Sequence, residues 1–336
     1  MEFKDFTAGQ NDDGRRLDKI VKNILPEANL SEIYKAIRKG LIKVNKKKSK
    51  AENHISSGDL ISIADFLCKI DEDKEVKNDK TGDKNYKLPP LPPVVFENED
   101  LIILNKPYNM VVHGKEDSLE KIVKKYWEEK KSADSLSFKP GPLHRIDKKT
   151  SGLTVFSKSL KGAQWFSKNI QDHSINKNYF AILQGHISSS CDFVDLIINK
   201  GDKDKGFYKV SASSSSLSNL DKSKNGASKD KTAISHIKVI ARGKYKETPV
   251  TFVKINIETG RKHQIRAQSA FHGHPLLGDT TYGGSSLKNE KQDFYLQASE
   301  LIFQKNPLNL PSCIKIDLSD AFKEMLNHCG INNYDV

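Results

Sequence analysis

One carboxylate near the middle of the chain stands among cations. In Gly141–Leu153, GPLHRIDKKTSGL, Asp147 has Arg145 two residues before it and Lys148 and Lys149 directly after it. Opposite charge within a few ångströms favours the ionised carboxylate, and a lone acid held in that form on a loop is what nucleophilic or general-base chemistry requires. The same residues could equally form an exposed loop ion pair of no chemical consequence, and the segment alone leaves both readings open. Thr150-Ser151-Gly152 supplies turn chemistry and Leu153-Thr154-Val155-Phe156 then reads as a strand, so Asp147 is expected on a loop that leads into a sheet.

A second group lies in Thr259–Arg266, TGRKHQIR, where two arginines, a lysine, a histidine and a glutamine fall within eight residues. Placed after a strand, they form a polar rim able to reach phosphates and base edges. His272 and His274 have no carboxylate or thiol partner at ligand spacing, so no metal is expected. The cysteines, Cys68, Cys191, Cys313 and Cys329, are far apart and fit no Cys-x-x-Cys spacing; they read as free thiols in a reducing compartment.

The elements that must hold these groups follow from pattern. Strand candidates around Leu153, Phe180, Ile234, Phe252, Tyr295 and Ile314 outnumber the helices and are not regularly separated by them. That predicts an α+β domain around a mainly antiparallel sheet, over residues 93–330, and not a doubly wound parallel one. Helical faces are Leu119, Ile122, Val123 and Tyr126 with Ser118 as cap, then Ala163, Phe166 and Ile170. The last is Phe322, Met325, Leu326 and Cys329 between Ser319 as N-cap and Gly330.

A smaller α/β module is expected over residues 14–65. Leu17, Ile20, Val21 and Ile24 share one face of a helix ended by Pro26. Ser31 is the expected cap of a second helix carrying Ile33, Tyr34 and Ile37, with Gly40 as its left-handed C-terminal cap. Leu41–Val44 and Leu60–Ile63 read as strands, with Asn45 in a turn. From Arg15 to Lys50 twelve basic residues face three acidic ones, a net +9 that favours phosphate contacts and salt-sensitive binding. Residues 71–87, DEDKEVKNDKTGDKNYK, are charged and aperiodic. They predict a flexible linker over 66–92, stiffened at its end by Pro89–Pro93, and residues 211–231 predict a low-complexity insertion.

With 336 residues the chain is long enough for two domains. A formal charge of +12 and a pI near 9.2 favour a polyanionic partner, nucleic acid above all. A mean hydropathy of −0.60 fits a globular protein with charged linkers. The sequence has no run of 18 apolar residues, which excludes a transmembrane helix, and its start lacks the apolar stretch of a secretory signal, so a cytoplasmic protein is expected.

These motifs resemble a known family. GPLHRIDKKTSGL resembles the H-R-[LI]-D-x-x-T-S-G signature of the RluA-type pseudouridine synthases, which isomerise uridines in RNA. Lys177–Gly185, KNYFAILQG, is similar to the family's K-x-Y-x-A-x-x-x-G segment. Thr259–Gly283 is similar to its T-G-R-x-H-Q-I-R…G-H-P-[IL]-x-G-D…Y-G segment. Asn105–His113, NKPYNMVVH, resembles N-K-P-x-G-x-x-V-H with Asn109 in the glycine position; asparagine tolerates positive φ next best, so the turn is expected to survive. In the small module Arg16-Leu17-Asp18, Ile37-Arg38-Lys39-Gly40 and Val44-Asn45 resemble an S4 RNA-binding domain.

The resemblance implies that Asp147 starts the reaction and that Arg266 pairs with it. It implies that Tyr179 stacks on the flipped base and takes part in removing the C5 proton, and that Leu277 packs under the base. His144, Arg145, Arg261, His263 and Gln264 are implied substrate contacts, and Arg15, Arg16, Lys35, Arg38, Lys39 and Lys43 implied RNA contacts. No cofactor is implied, because the isomerisation oxidises nothing and loses no group. The S4-like module plus core most resembles the branch often called RluC, which implies large-subunit ribosomal RNA as substrate, with transfer RNA as the alternative. The protein is expected to act as a monomer without a membrane partner. Two other classes compete. A ribosome-assembly factor that has lost the chemistry is disfavoured by the joint presence of Asp147, Tyr179 and Arg266. An aspartate-dependent hydrolase lacks a second carboxylate at a motif-like spacing from Asp147.

Overall fold

A computed structural model describes residues 1–69, 88–114, 117–129, 135–198, 208–212, 231–288, 290–304 and 307–335. The expected tether at 71–87 and residues 213–230 of the expected insertion lie outside the described residues. Ser211 and Ala212 belong to one strand and Lys231 to the next.

The N-terminal module comprises β1 (Phe3–Thr7), β2 (Arg15–Arg16), α1 (Leu17–Ile24), α2 (Leu30–Lys39), β3 (Ile42–Val44), β4 (Lys47–Lys48), β5 (His54–Ile55) and β6 (Leu60–Ala64). Its sheet runs β1-β6-β3-β4, and β2 pairs with β5. Leu17, Ile20 and Val21 of α1 and Ile33, Ala36 and Ile37 of α2 are buried, as their spacing requires. Gly40 closes α2 at φ 75°. The cap at the other end is Asn29 and not Ser31. Asn29 Oδ1 accepts from the Glu32 N–H, and the Glu32 carboxylate accepts from the Asn29 N–H, each at 2.9 Å. This reciprocal pair draws the helix start two residues forward of the serine. The module also exceeds its expected bounds. β1 pairs with β6 ahead of residue 14, and Leu67 and Cys68 pack into its core beyond residue 65. β1 buries no residue fully, so it carries no strong alternation to read.

The second domain comprises β7 (Val94–Glu97), β8 (Leu101–Lys106), α3 (Leu119–Glu129), β9 (Ser151–Ser157), α4 (Leu160–Gln171), β10 (Ile175–Gln184), β11 (Cys191–Ile198), β12 (Lys209–Ala212), β13 (Lys231–Tyr245), β14 (Thr248–Ile257), α5 (Gln264–Phe271), β15 (Leu296–Phe303), β16 (Cys313–Lys315) and α6 (Asp320–His328). Its ten-stranded sheet runs β12-β11-β13-β14-β10-β15-β9-β8-β7, with β16 on β15. β15 and β9 run parallel and the other pairings are antiparallel, which agrees with the expected α+β class. Strand β10 is buried on both sides. Tyr179, Ala181 and Leu183 enter the core of one face, while Phe180 and Ile182 enter the core of the other, under α6. Ser319 caps α6 by accepting from the Phe322 N–H. Ser118 stands directly before α3, and its backbone carbonyl takes the N–H groups of Lys121 and Ile122; among the described residues its buried hydroxyl has no partner. Among the described residues no helix is long and apolar enough to cross a membrane.

The two modules touch at a buried acid. Asp12, with no exposed surface, accepts from Ser135 Oγ (2.8 Å), Leu136 N–H (2.8 Å), Ser137 N–H (3.1 Å) and the Ser137 hydroxyl. Leu136 packs against the core of the module, and Asn11 Oδ1 accepts from the Leu160 N–H at the start of α4. Removing the acceptor leaves several buried donors unsatisfied, at about 1–3 kcal/mol each. Asp12→Ala is therefore expected to lower the melting temperature and to speed protease cleavage near residues 135–140. Unchanged melting and cleavage would exclude this contact as the joint.

Candidate active site

The loop that carries Asp147 lies on one wall of a cleft of about 1100 Å³. The Thr150 N–H donates to the Asp147 carbonyl at 3.1 Å and closes the turn. The chain then enters β9 at Ser151, and at Gly152, φ 111°, a Cβ would stand 2.1 Å from the Ala298 carbonyl oxygen. Only glycine lets the loop join β15 at that distance. Beneath the loop the fully buried Lys106 donates to the carbonyls of Pro107 (3.0 Å), Met110 (2.8 Å) and Lys148 (3.2 Å). Burial pulls its pKa down to about 7, against the charge of Asp147. The outer side is clamped by Lys149, whose ammonium lies 2.6 Å from Asp293, and Tyr108 O–H donates to the same carboxylate at 2.7 Å. Asn109 adopts φ 66°, so the turn survives the loss of glycine.

Arg266 reaches Asp147, but only at 3.6 Å (Nη1 to Oδ2). Its short bonds go to Asp279, Nε to Oδ2 at 2.6 Å and Nη2 to Oδ1 at 2.9 Å. The guanidinium lies between the rings of Tyr282 and Phe294, 4.9 and 4.7 Å from their centroids. The expected Arg266–Asp147 pair is thus one side of a three-membered arrangement in which Asp279 is the principal partner. The reason is electrostatic: an arginine this deeply buried needs a carboxylate that is buried with it. Burial alone would lower the Arg266 pKa, but the hydrogen bond and charge of Asp279 and the charge of Asp147 raise it.

His263 caps α5 at φ 56° and brings Nε2 to 3.8 Å from Asp147 Oδ1. Burial lowers its pKa, with Asp147 opposing and Arg266 adding to the effect. Its Nδ1 lies 3.0 Å from the Tyr282 hydroxyl, which already accepts from the Tyr208 N–H. The other ring nitrogen, Nε2, faces Asp147. Tyr179 is buried in the same cleft. Burial and the charge of Asp147 push its pKa up, and among the described residues its hydroxyl has no hydrogen-bond partner.

The remaining expected residues divide. Arg145 is exposed at the rim, without a partner among the described residues, and Arg261 lines the wall. His144 also lines it, stacked on Phe166 and accepting the Val155 N–H at 3.2 Å; burial, then the charge of Lys177, lower its pKa to about 3. Gln264 also lines the cleft, and its side chain braces the wall from within. Its carbonyl accepts from Thr259 Oγ1 and the Arg261 N–H, and its amide donates to the Ile234 carbonyl and Ser235 Oγ. Leu277 does not lie under the base site. It packs with Phe180, Ile182 and Phe322 on the other face of the sheet, and Ile265 and Leu296 line the cleft instead. In the N-terminal module Arg15 donates to Ser137 Oγ at 2.9 Å and Arg16 is held bidentate by Asp18, so both are used within the protein. Lys35, Arg38 and Lys39 are exposed on or beside one side of α2, and Lys43 lies over the Phe3 ring.

Residues 100–271 match the RNA pseudouridylate synthase family, and residues 15–61 match the S4 domain. The chain belongs to the RNA pseudouridylate synthase family. It is 28% identical over 270 residues to the ribosomal large subunit pseudouridine synthase C of Vibrio vulnificus, covering 80% of this chain and 77% of that one. To an uncharacterized RNA pseudouridine synthase of Mycoplasma capricolum it is 28% identical over 318 residues, covering 90% and 93%. The solved structure of human RNA Pseudouridylate Synthase Domain Containing 4 has the same fold, with a TM-score of 0.55 at 20% identity over 70% of this chain and 92% of that one.

Reading the sequence missed roles for Lys106, Asp279 and Tyr282, although all three stand inside quoted motifs. The available signal was chemical: a buried arginine in an apolar setting calls for a second acid, and Asp279 follows it within the same motif. Asp279→Asn is expected to cost about 3–5 kcal/mol by leaving Arg266 uncompensated and to lower turnover sharply. Denaturant titration checks the first effect, and a wild-type midpoint would remove Asp279 from this role.

Proposed function

We propose that the chain isomerises uridine to pseudouridine in large-subunit ribosomal RNA, acting as a cytoplasmic monomer, with Asp147 as the group that begins the reaction. The observation that carries this reading is one cleft in which Asp147 lies 3.6 Å from Arg266 and 3.8 Å from His263 and is lined also by the unpartnered phenol of Tyr179. The names of the relatives and the S4 domain support ribosomal RNA as the substrate.

Isomerisation breaks the bond between uracil N1 and C1′, turns the base, and joins C5 to C1′. The proton lost from C5 is balanced by one gained at N1. The target base must leave its stack, at a cost of a few kcal/mol that stacking and edge hydrogen bonds offset. The Asp147 carboxylate either attacks a carbon of the substrate or takes a sugar proton; both routes start at the same oxygen. Arg266 and the His263 ring flank that carboxylate without occupying it at hydrogen-bond distance. The raised pKa of Tyr179 keeps its proton on in the free enzyme, so it meets the base as a platform and donor. It can take the C5 proton only by passing its own proton on. Lys35, Arg38 and Lys39 contact RNA phosphates away from the cleft.

Asp147→Asn is expected to abolish pseudouridine formation and leave RNA affinity within about twofold, because the removed charge makes no phosphate contact. Sequencing-based mapping of ribosomal and transfer RNA from cells carrying the variant checks this, and retained modification would reject the assignment. Lys35, Arg38 and Lys39 changed together to Ala should reduce the slope of log K against log salt by about 0.7–0.9 for each phosphate no longer neutralised. An unchanged slope would remove this surface from the RNA interface.

A further inference from the structure

Two lysines are buried in or beside this cleft, and the protein satisfies only one of them. Lys106 has three carbonyl oxygens around its ammonium group. Lys177 is 7% exposed, and among the described residues no hydrogen bond or ion pair engages its Nζ. It leaves β10 two residues before Tyr179, hence from the same face of the strand, and both side chains line the cleft. Its Nζ lies against the Thr259–Arg261 turn, 3.8 Å from where a Cβ on residue 260 would stand.

The charge nearest in effect is a like one. After burial, Arg261 is the group that lowers the Lys177 pKa, to about 8. Arg261 gives its Nε to the Thr232 carbonyl at 3.1 Å, and its terminal N–H groups have no partner among the described residues. The carboxylate on this wall, Glu258, is taken by His236 at 2.8 Å. A buried ammonium with no counter-charge is unfavourable for the folded chain, and with the half-buried Arg261 guanidinium in the same cleft it calls for an anion.

We propose that Lys177 and Arg261 form a subsite for one backbone phosphate of the RNA, next to the nucleotide whose base reaches Tyr179 and Asp147. The proposal rests on the reading of the cleft as a uridine-isomerising site. Uracil and ribose are neutral, so a phosphate is the substrate group able to balance two positive charges. Holding that phosphate fixes the sugar from the side opposite the base and presents C1′ to the acid.

Lys177→Met removes the unpaired charge at similar volume, so the variant is expected to melt above the wild-type chain. Inorganic phosphate at constant ionic strength should raise the wild-type melting temperature and raise that of the variant distinctly less. With large-subunit ribosomal RNA as substrate, KM should rise about tenfold or more, with kcat falling by a smaller factor. Lys177→Arg should recover most of the KM. A variant that melts below wild type, an equal phosphate response in the two proteins, or a loss confined to kcat overturns the subsite. A wild-type chain that responds to phosphate but modifies no RNA overturns the reading of the reaction and leaves the subsite standing.

Discussion

The geometry of the cleft depends on one buried ion pair. Arg266 is bound bidentate by Asp279 between two aromatic rings. If the same guanidinium gripped Asp147 in that way, it would neutralise the carboxylate and occupy its lone pairs. Dividing the tasks keeps a reactive oxygen. Asp279 balances the charge of Arg266, and Asp147 stays 3.6 Å away, within its field but outside its hydrogen bonds. Two unit charges at about 4 Å attract by about 4 kcal/mol at an effective dielectric of 20, less where water reaches the acid. That is enough to hold an ionised group in place and small enough to leave it available.

The sheet explains how a loop acid and a helix arginine meet. β15 lies between β10, which carries Tyr179, and β9, which follows the Asp147 loop. Its parallel contact with β9 begins at Ser151, so the end of the Asp147 loop is locked to the strand beside Tyr179. Lys106, at the end of β8, fastens the loop from below through the Lys148 carbonyl. Three neighbouring strands thus fix one aspartate, which is why distant motifs recur in one cleft.

Much of this was legible in the residues. A carboxylate among cations before a turn and an apolar run placed Asp147 on a loop entering a sheet, and the strand-rich pattern pointed to antiparallel pairing. What stayed hidden shares one cause: type and spacing do not say which of several competing partners wins. Leu276 and Leu277 are equally apolar, and only the register of the chain against β10 decides which faces which core. Nor does the sequence show that the Gln264 amide makes four hydrogen bonds inside the protein. It does not show either that Ser137, 122 positions away in the chain, accepts from the Arg15 guanidinium.

The same competition governs how net charge should be read. A total of +12 is compatible with many partners, because it counts cations the fold has already used. Arg16, Lys106, Lys149 and Arg266 are held by carboxylates or carbonyls of the protein itself, and they add little outward attraction. What a polyanion meets is the remainder. That remainder is not spread evenly: part lies along α2, as Lys35, Arg38 and Lys39, and part lines the cleft, as Arg145, Arg261 and Lys177. A folded chain that leaves cations unpaired inside a cavity forgoes stability to do so, whereas unpaired cations on a surface cost almost nothing. The buried ones are therefore the stronger sign of an anionic substrate, although they contribute least to the overall charge.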